Sequence, residues 1–419
     1  EMDIDDMDDD EFPSLVQLQD DAKIVSNANI DPNLLETPSL SIPVTILVGF
    51  LGSGKSTLLN YVLRTNHGRR IAVIENEFSE GLGIESMIAK SGVDGKNISD
   101  FFELPNGCIC CTIKNDLLST LEQLVAHKDK FDYLLIETTG LANPGPIIST
   151  FWTDTNLKSP LRLDGVVCVV DALHIDSYLL DESIKNDVRL QICYADRIIL
   201  NKLDLVSMEK VELLEKTIME MNSFAQLYRA QFGNVDLDSV LDIHAYSSES
   251  GVPNLSHQFS HCLPCNPNSI QSSSLSTNDV NSMTMILSPQ HIATSMRSHS
   301  ITFEGSLDIK KLEFLLDLML YSNGKIETSH SSSSNVGDIS VSAATLSISK
   351  VYRIKGLLHI HGSEYLHILQ AVHEVFEITP SDCVSGSPED RTLGRNLFIF
   401  IGKDLHIQEI ERQLLACMK

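Results

Sequence analysis

The segment Gly49-Phe50-Leu51-Gly52-Ser53-Gly54-Lys55-Ser56 leaves this chain few folds to choose from. It fits the pattern G-x-x-x-x-G-K-[ST]. A short β-branched run, Val44-Thr45-Ile46-Leu47-Val48, leads straight into it, and Ser56 to Arg64 carries helical apolar spacing beyond it. A strand that turns through glycines into a helix is the context in which this motif binds phosphate. The glycines let backbone N–H groups curl toward phosphate oxygens, and the helix N-terminus adds a dipole that favours anions. Lys55 is placed to reach the β- and γ-phosphates and the Ser56 hydroxyl to ligate Mg²⁺. The expected cradle is Gly49, Phe50, Leu51, Gly52, Ser53, Gly54, Lys55, Ser56 and Thr57.

Further apolar runs at Arg70 to Ile74, Tyr133 to Ile136, Gly165 to Val170 and Arg197 to Leu200 read as buried strands. Helical patterns lie between them, at Asn115 to His127 and Leu173 to Ala195 among others. Alternating strands and helices predict an α/β domain with a mostly parallel sheet, covered on both faces. The chain has 419 residues, which is too long for one ordinary core. Four parts are expected: an acidic disordered tail over 1–42, the phosphate-binding domain over 43–253, a linker over 254–297, and a smaller α+β domain over 298–419. In that last part His299 to Phe303, Leu346 to Leu358 and Asn396 to Ile401 read as strands. Ile309 to Leu320, Ser363 to Val375 and Leu405 to Met418 read as helices, with a Ser-rich insert over Ser329 to Ser342.

Two segments refine the phosphate site. Tyr133-Leu134-Leu135-Ile136-Glu137 is an apolar strand ending in a carboxylate, with Gly140 three residues on. Glu137 is placed to hold Mg²⁺ through water, and the Gly140 N–H to sense a γ-phosphate. Asn201-Lys202-Leu203-Asp204 follows the strand ending at Leu200. A carboxylate at Asp204 accepts two hydrogen bonds from guanine that adenine cannot offer, so the predicted nucleotide is GTP. Ser247-Ser248 is a weaker candidate for the loop that closes over the base.

Three of the nine cysteines fall within four residues, in Asn106-Gly107-Cys108-Ile109-Cys110-Cys111. Neighbouring cysteines make poor disulfides. As thiolates, Cys108, Cys110 and Cys111 suit Zn²⁺, and three protein ligands leave a fourth tetrahedral position open to exchange, as a carrier needs. Glu77 or Glu75, at the end of the second strand, is the candidate fourth ligand, set against a nucleotide-sensing or merely solvated role. A redox-sensing cluster is the rival reading of the three thiols. Thiolate ligands do not by themselves separate zinc from cobalt. A second group, His257, His261, Cys262 and Cys265, is a weak metal candidate inside a Ser/Asn-rich linker. His359 and His361 are two apart on an expected strand and so share a face, which reads first as a packed or surface pair and second as a transit ligand for the metal.

The combination Gly-Phe-Leu-Gly-Ser-Gly-Lys-Ser, Glu-Asn-Glu-Phe, Gly-Cys-Ile-Cys-Cys and Ile-Glu-Thr-Thr-Gly-Leu-Ala-Asn-Pro resembles the CobW-type GTPases, with the nearest likeness to the eukaryotic zinc-regulated GTPase metalloprotein activators. The resemblance implies a metallochaperone that couples GTP hydrolysis to zinc delivery, with type 1 methionine aminopeptidase as the implied client. It also implies a docking motif of hydrophobic-Pro-x-Leu-Val type in the acidic tail. Phe12-Pro13-Ser14-Leu15-Val16 is similar, with Gln17 where a Pro is usual.

Charge narrows the partners. The formal net charge is −26, which repels nucleic-acid phosphates and anionic membrane surfaces. No apolar run reaches the roughly 18 residues that span a bilayer, and the acidic start has no secretory h-region. A cytoplasmic protein, or one shared with the nucleus, is therefore expected, and its oligomeric state is left open. No arginine finger is recognisable, so intrinsic turnover should be slow and open to stimulation by a partner.

Overall fold

The computed structural model describes residues 41–65, 67–75, 87–91, 117, 121–122, 124–153, 160–246, 296–321, 350–385, 392 and 394–419. Among these, seven strands form one sheet: β1 (Ile42–Val48), β2 (Arg70–Glu75), β3 (Met87–Ser91), β4 (Tyr133–Glu137), β5 (Leu161–Asp171), β6 (Arg197–Asn201) and β7 (Gln226–Arg229). Their order is β3-β2-β4-β1-β5-β6-β7, parallel throughout except where edge strand β3 runs against β2. The helices are α1 (Lys55–Arg64), α2 (Pro144–Thr153), α3 (Ile175–Leu180), α4 (Lys185–Tyr194) and α5 (Met208–Met221). Described positions at 117, 121, 122, 124 and 125 are also helical, with Leu117, Leu121 and Leu124 buried, inside the stretch read as a helix from its spacing.

Alternate residues of the central strands serve two cores, as the period of a strand requires. Leu47, Leu135, Val167 and Ile199 pack with Leu58, Leu59 and Val62 of α1. Ile46, Ile136, Cys168 and Leu200 face the other way, against α2, α4 and α5. Each such side chain contributes about 1.5–3 kcal/mol on burial, which is why these strands read as unbroken apolar runs. The stretch Leu173 to Ala195, expected as one helix, is two. Ser183 N and Oγ both donate to Asp181 Oδ1 (2.9 and 2.6 Å), and this local turn competes with the helix at its middle. Strands β3 and β7 were not marked by the sequence.

The second sheet is wholly antiparallel. It comprises β8 (Met296–Glu304), β9 (Lys350–His359), β10 (Tyr365–Val372), β11 (Val375–Val384) and β12 (Arg395–Lys403), in the order β11-β10-β9-β12-β8. Helices α6 (Ile309–Tyr321) and α7 (Ile407–Ala416) cover one face. The expected helix over Ser363 to Val375 is overturned: it is strand β10 and the turn into β11. Leu366, Ile368 and Val372 join the core shared with the first domain, whereas Leu369 and Ala371 face the core under α6 and α7. Both faces are buried, so apolar residues recur at 366, 369 and 372 and imitate helical spacing.

The two domains meet through a buried ionic cluster. Arg353 of β9 donates from Nη1 to Tyr194 O and Ala195 O (2.7 and 3.0 Å) and pairs through Nη2 with Asp196. Lys355 Nζ reaches Asp196 Oδ1 (3.5 Å) and Ala245 O (3.2 Å) and lies 3.8 Å from the Phe224 ring centre. Asp196 Oδ2 accepts from Val166 N (2.9 Å). Burial opposes the charge on Asp196, but Arg353 and Lys355 outweigh it and keep the carboxyl below its ordinary range. Among the described residues no helix is long and apolar enough to cross a membrane.

Candidate nucleotide and metal site

The candidate site lies at the carboxyl ends of four neighbouring strands, β4, β1, β5 and β6. That edge is where parallel α/β sheets bind ligands. β1 ends at Val48 and the chain turns through Gly49 (φ +144°), Gly52 (φ +72°) and Gly54 (φ +105°) into α1. A Cβ on Gly49 would stand 2.3 Å from Val169 O, and one on Gly54 would stand 2.4 Å from Asn201 Nδ2, so neither position accepts a side chain. Lys55 Nζ donates to Gly49 O (2.9 Å), which folds the ammonium over its own loop. Ser53 is fully buried in the turn, and its Oγ finds no hydrogen-bond partner among the described residues. An orphaned donor inside a glycine cradle fits an anion held there.

Ser56 and Glu137, expected to share a magnesium ion, are brought together from 81 positions apart. Ser56 Oγ donates to Glu137 Oε1 at 2.9 Å. Glu137 is buried at the end of β4, and Glu75 stands in register with it on β2. A hydroxyl and a carboxylate oxygen at this distance are the hard-oxygen donor set that Mg²⁺ takes. Thr57 is exposed in the first turn of α1. Gly140 lies against the phosphate loop: a Cβ there would come within 2.6 Å of Leu51 N. The Gly140 carbonyl accepts from Gln191 Nε2 of α4 (3.0 Å), a contact with no sequence signal.

Asn201 ends β6 and ties the cradle together. Its Nδ2 donates to Ser53 O (3.0 Å) and its Oδ1 accepts from Gly233 N (3.1 Å). Lys202 adopts a left-handed backbone (φ +63°), uncommon for a residue with a side chain and frequent at functional turns. Its Nζ donates to Asp171 Oδ2 at 2.7 Å. Asp204 is exposed in the turn Leu203–Leu205 that follows.

Two further residues at this edge, Asp171 and Tyr178, were missed. Asp171 ends β5 as Glu137 ends β4, and that parallel was the available signal. Burial works against the Asp171 carboxylate, but hydrogen bonds from Lys202 and His174 prevail and hold it below the usual range. Phe50 of the loop packs on Tyr178 of α3, with ring centres 4.4 Å apart. The side chain at this variable motif position therefore anchors the loop to α3.

Cys108, Cys110, Cys111 and Glu77 lie outside the described residues, as do Ser247 and Ser248, the His257, His261, Cys262 and Cys265 group, and the Phe12, Pro13, Leu15 and Val16 motif. Four other cysteines are described, and all are buried. Burial pushes the Cys168 and Cys193 thiols up to about 12, so they are neutral core side chains rather than ligands. His359 and His361 do not share a strand face as expected: β9 stops at His359, and His361 stands exposed in the turn beyond. His359 is half-buried between hydroxyls, with Nδ1 2.6 Å from Ser385 Oγ and Nε2 2.9 Å from Thr392 Oγ1. Both residues line a cavity of about 270 Å³ with Ser306, Ser363 and Gly394.

The CobW/HypB/UreG nucleotide-binding domain matches residues 43–229, and the cobalamin synthesis protein cobW C-terminal domain matches 296–418. The chain is 33% identical over 371 residues to zinc-regulated GTPase metalloprotein activator 1 of Schizosaccharomyces pombe, covering 87% of this chain and 83% of that protein. It is a CobW-family GTPase. The zinc chaperone YjiA of Escherichia coli is 38% identical over 235 residues, which are 55% of this chain and 70% of that one. The crystal structure of Zn(II)-bound YjiA GTPase superposes with a TM-score of 0.59 at 26% identity, over 90% of this chain and 99% of that chain. Both domains of this CobW-family GTPase thus have counterparts in one solved fold.

Proposed function

We propose that this GTPase takes zinc on Cys108, Cys110 and Cys111 and uses GTP hydrolysis to hand it to a client metalloenzyme, type 1 methionine aminopeptidase. The family membership makes it a GTPase metallochaperone. The finer reading draws on relatives named zinc-regulated metalloprotein activator and zinc chaperone. The observation that carries its GTP-hydrolysing half is the convergence of Ser56 and Glu137 at 2.9 Å beside a cradle whose Ser53 Oγ lacks a partner among the described residues. Glu77 is the proposed fourth zinc ligand.

In this reading the backbone N–H groups of the cradle and Lys55 grip the β- and γ-phosphates. Asp204 selects guanine, while Asp171 and Asn201 fix Lys202 and the loop behind it. Mg²⁺, held by Ser56 and through water by Glu137, would neutralise charge on the β/γ oxygens. Water attacks the γ-phosphorus and the bond to the bridging oxygen breaks, giving GDP and phosphate. Loss of the γ-phosphate releases the Gly140 loop, and linkage carries that change to the thiolates. Phe12, Pro13, Leu15 and Val16 dock the client, and the protein works in the cytoplasm or nucleus.

Peptidase activity of the apo client, mixed with zinc-loaded protein, tests this. Activation with GTP but not with a non-hydrolysable analogue is expected. Equal activation by both would overturn the hydrolysis-driven step, and activation of other apo metalloenzymes but not of this one would overturn the client.

A further inference from the structure

Helix α4 buries a residue that helices ordinarily expose. Gln191 is about 1% accessible, and a primary amide taken out of water is costly unless its hydrogens are used. Both are used on one turn of the Gly140 loop: Nε2 donates to Gly140 O at 3.0 Å and to Ala142 O at 3.1 Å. That loop opens α2, and Gly140 in it lies against the phosphate loop, where a Cβ would come within 2.6 Å of Leu51 N. Gly140 is therefore fixed by two elements, one that faces phosphate and one that does not.

The helix that makes this contact is itself held fast. One turn beyond Gln191, about 4.5 Å along the axis, Tyr194 O and the following Ala195 O accept from Arg353 Nη1 of the C-terminal sheet. Asn222 Nδ2 donates to Ile192 O (2.7 Å) and Ala195 O (2.9 Å). A cation at a helix C-terminus is favourable, and here it is buried, so the end of α4 cannot drift. Gln191 thus projects from a fixed rod onto a loop that has to respond to nucleotide.

We propose that Gln191 is a positioning residue for GTP hydrolysis: its amide holds the carbonyls of Gly140 and Ala142 so that the loop meets the γ-phosphate in the reacting geometry. The proposal rests on the reading of Gly140 as the γ-phosphate sensor. It predicts a nucleotide-specific effect, because GDP has no group that reaches Gly140.

The test compares Gln191→Met, which keeps length and loses both donors, with Gln191→Asn, which keeps the amide but falls short. Gly140→Ala serves as the control for the reading itself. Dissociation constants for GDP and for a non-hydrolysable GTP analogue, kcat and melting temperature are read for each. Both Gln191 variants should bind GDP within twofold of wild type, while analogue affinity and kcat fall about tenfold. Unchanged analogue binding and kcat, or an equal loss for GDP and analogue that follows the melting temperature, would overturn the proposal. If Gly140→Ala separates the two nucleotides and neither Gln191 variant does, only the role of Gln191 is lost. If Gly140→Ala does not separate them either, the sensor reading falls and takes the proposal with it.

Discussion

The two sheets of this molecule put their constrained positions to different uses. In the first, individual positions at the strand ends are dictated by what must approach them. Gly49 and Gly54 admit no Cβ, and Lys202 is forced into a left-handed turn. The second has constrained positions too, such as Gly402, where a Cβ would stand 2.4 Å from Lys350 O, and left-handed His373 and Asp404, but they serve strand pairing and turns within a sheet whose central strands are buried on both faces. The candidate chemistry gathers at the carboxyl ends of the first sheet, where the constrained positions border the phosphate loop. The C-terminal sheet contributes mass, a fixed wall against α4, and the buried Arg353–Asp196–Lys355 cluster. Substitutions in the first region should cost activity without stability, and substitutions in the cluster should cost stability first.

The largest expected effect is at Lys55. Lys55→Ala removes the ammonium from the phosphate loop and should lower kcat about a thousandfold or more. Thermal melting should barely move, since Lys55 Nζ donates to Gly49 O of its own loop. A melting temperature that falls with kcat would break the distinction between the regions. Asp196→Ala should do the reverse. Arg353 would be left buried without its carboxylate, at a cost of about 3–5 kcal/mol in denaturant unfolding. GTP turnover per folded molecule should persist.

Asp204→Ala should raise the KM for GTP about a hundredfold and leave weak ATP turnover unchanged, as competition kinetics would show. Equal KM values for wild type and variant would remove Asp204 from the base site. Lys355 offers a subtler test. Burial pushes its pKa well below the ordinary lysine value, Asp196 pulls it back, and Arg353 adds to the depression. In the interval between the depressed folded value and the ordinary value near 10.5, the unfolded chain binds the proton and the folded chain does not. Stability from this group therefore rises with pH across that interval. The wild type should gain on Lys355→Met as pH goes from neutral to about 9. A constant difference between the two would contradict the depression. The smallest effect is expected at His359→Ala, about 1 kcal/mol from two lost hydroxyl contacts and no change in kcat.

The same contrast explains what the sequence disclosed. The phosphate loop was legible because backbone geometry near an anion restricts residue types at fixed spacing. Glu137 and Asn201 were legible because each ends an apolar strand. Strand β10 was not, since Leu366 and Leu369 face different cores and their spacing imitates a helix. Gln191 and Arg353 were not, since a polar residue in a helix or strand carries no mark of the partner that buries it, here 51 and 159 positions away. Asp171 lay between: its place at the end of β5 matches that of Glu137, and only its pairing with Lys202 required the structure.

Nucleotide and zinc held on one framework must each change the affinity for the other. The direct measurement is the zinc dissociation constant of the full chain, by competition with a chromophoric chelator, in GDP and in a non-hydrolysable GTP analogue. The two values should lie about tenfold or more apart, with the same factor recovered when analogue binding is measured with and without zinc. Zinc bound through the cysteines with one affinity in both nucleotide states would contradict it.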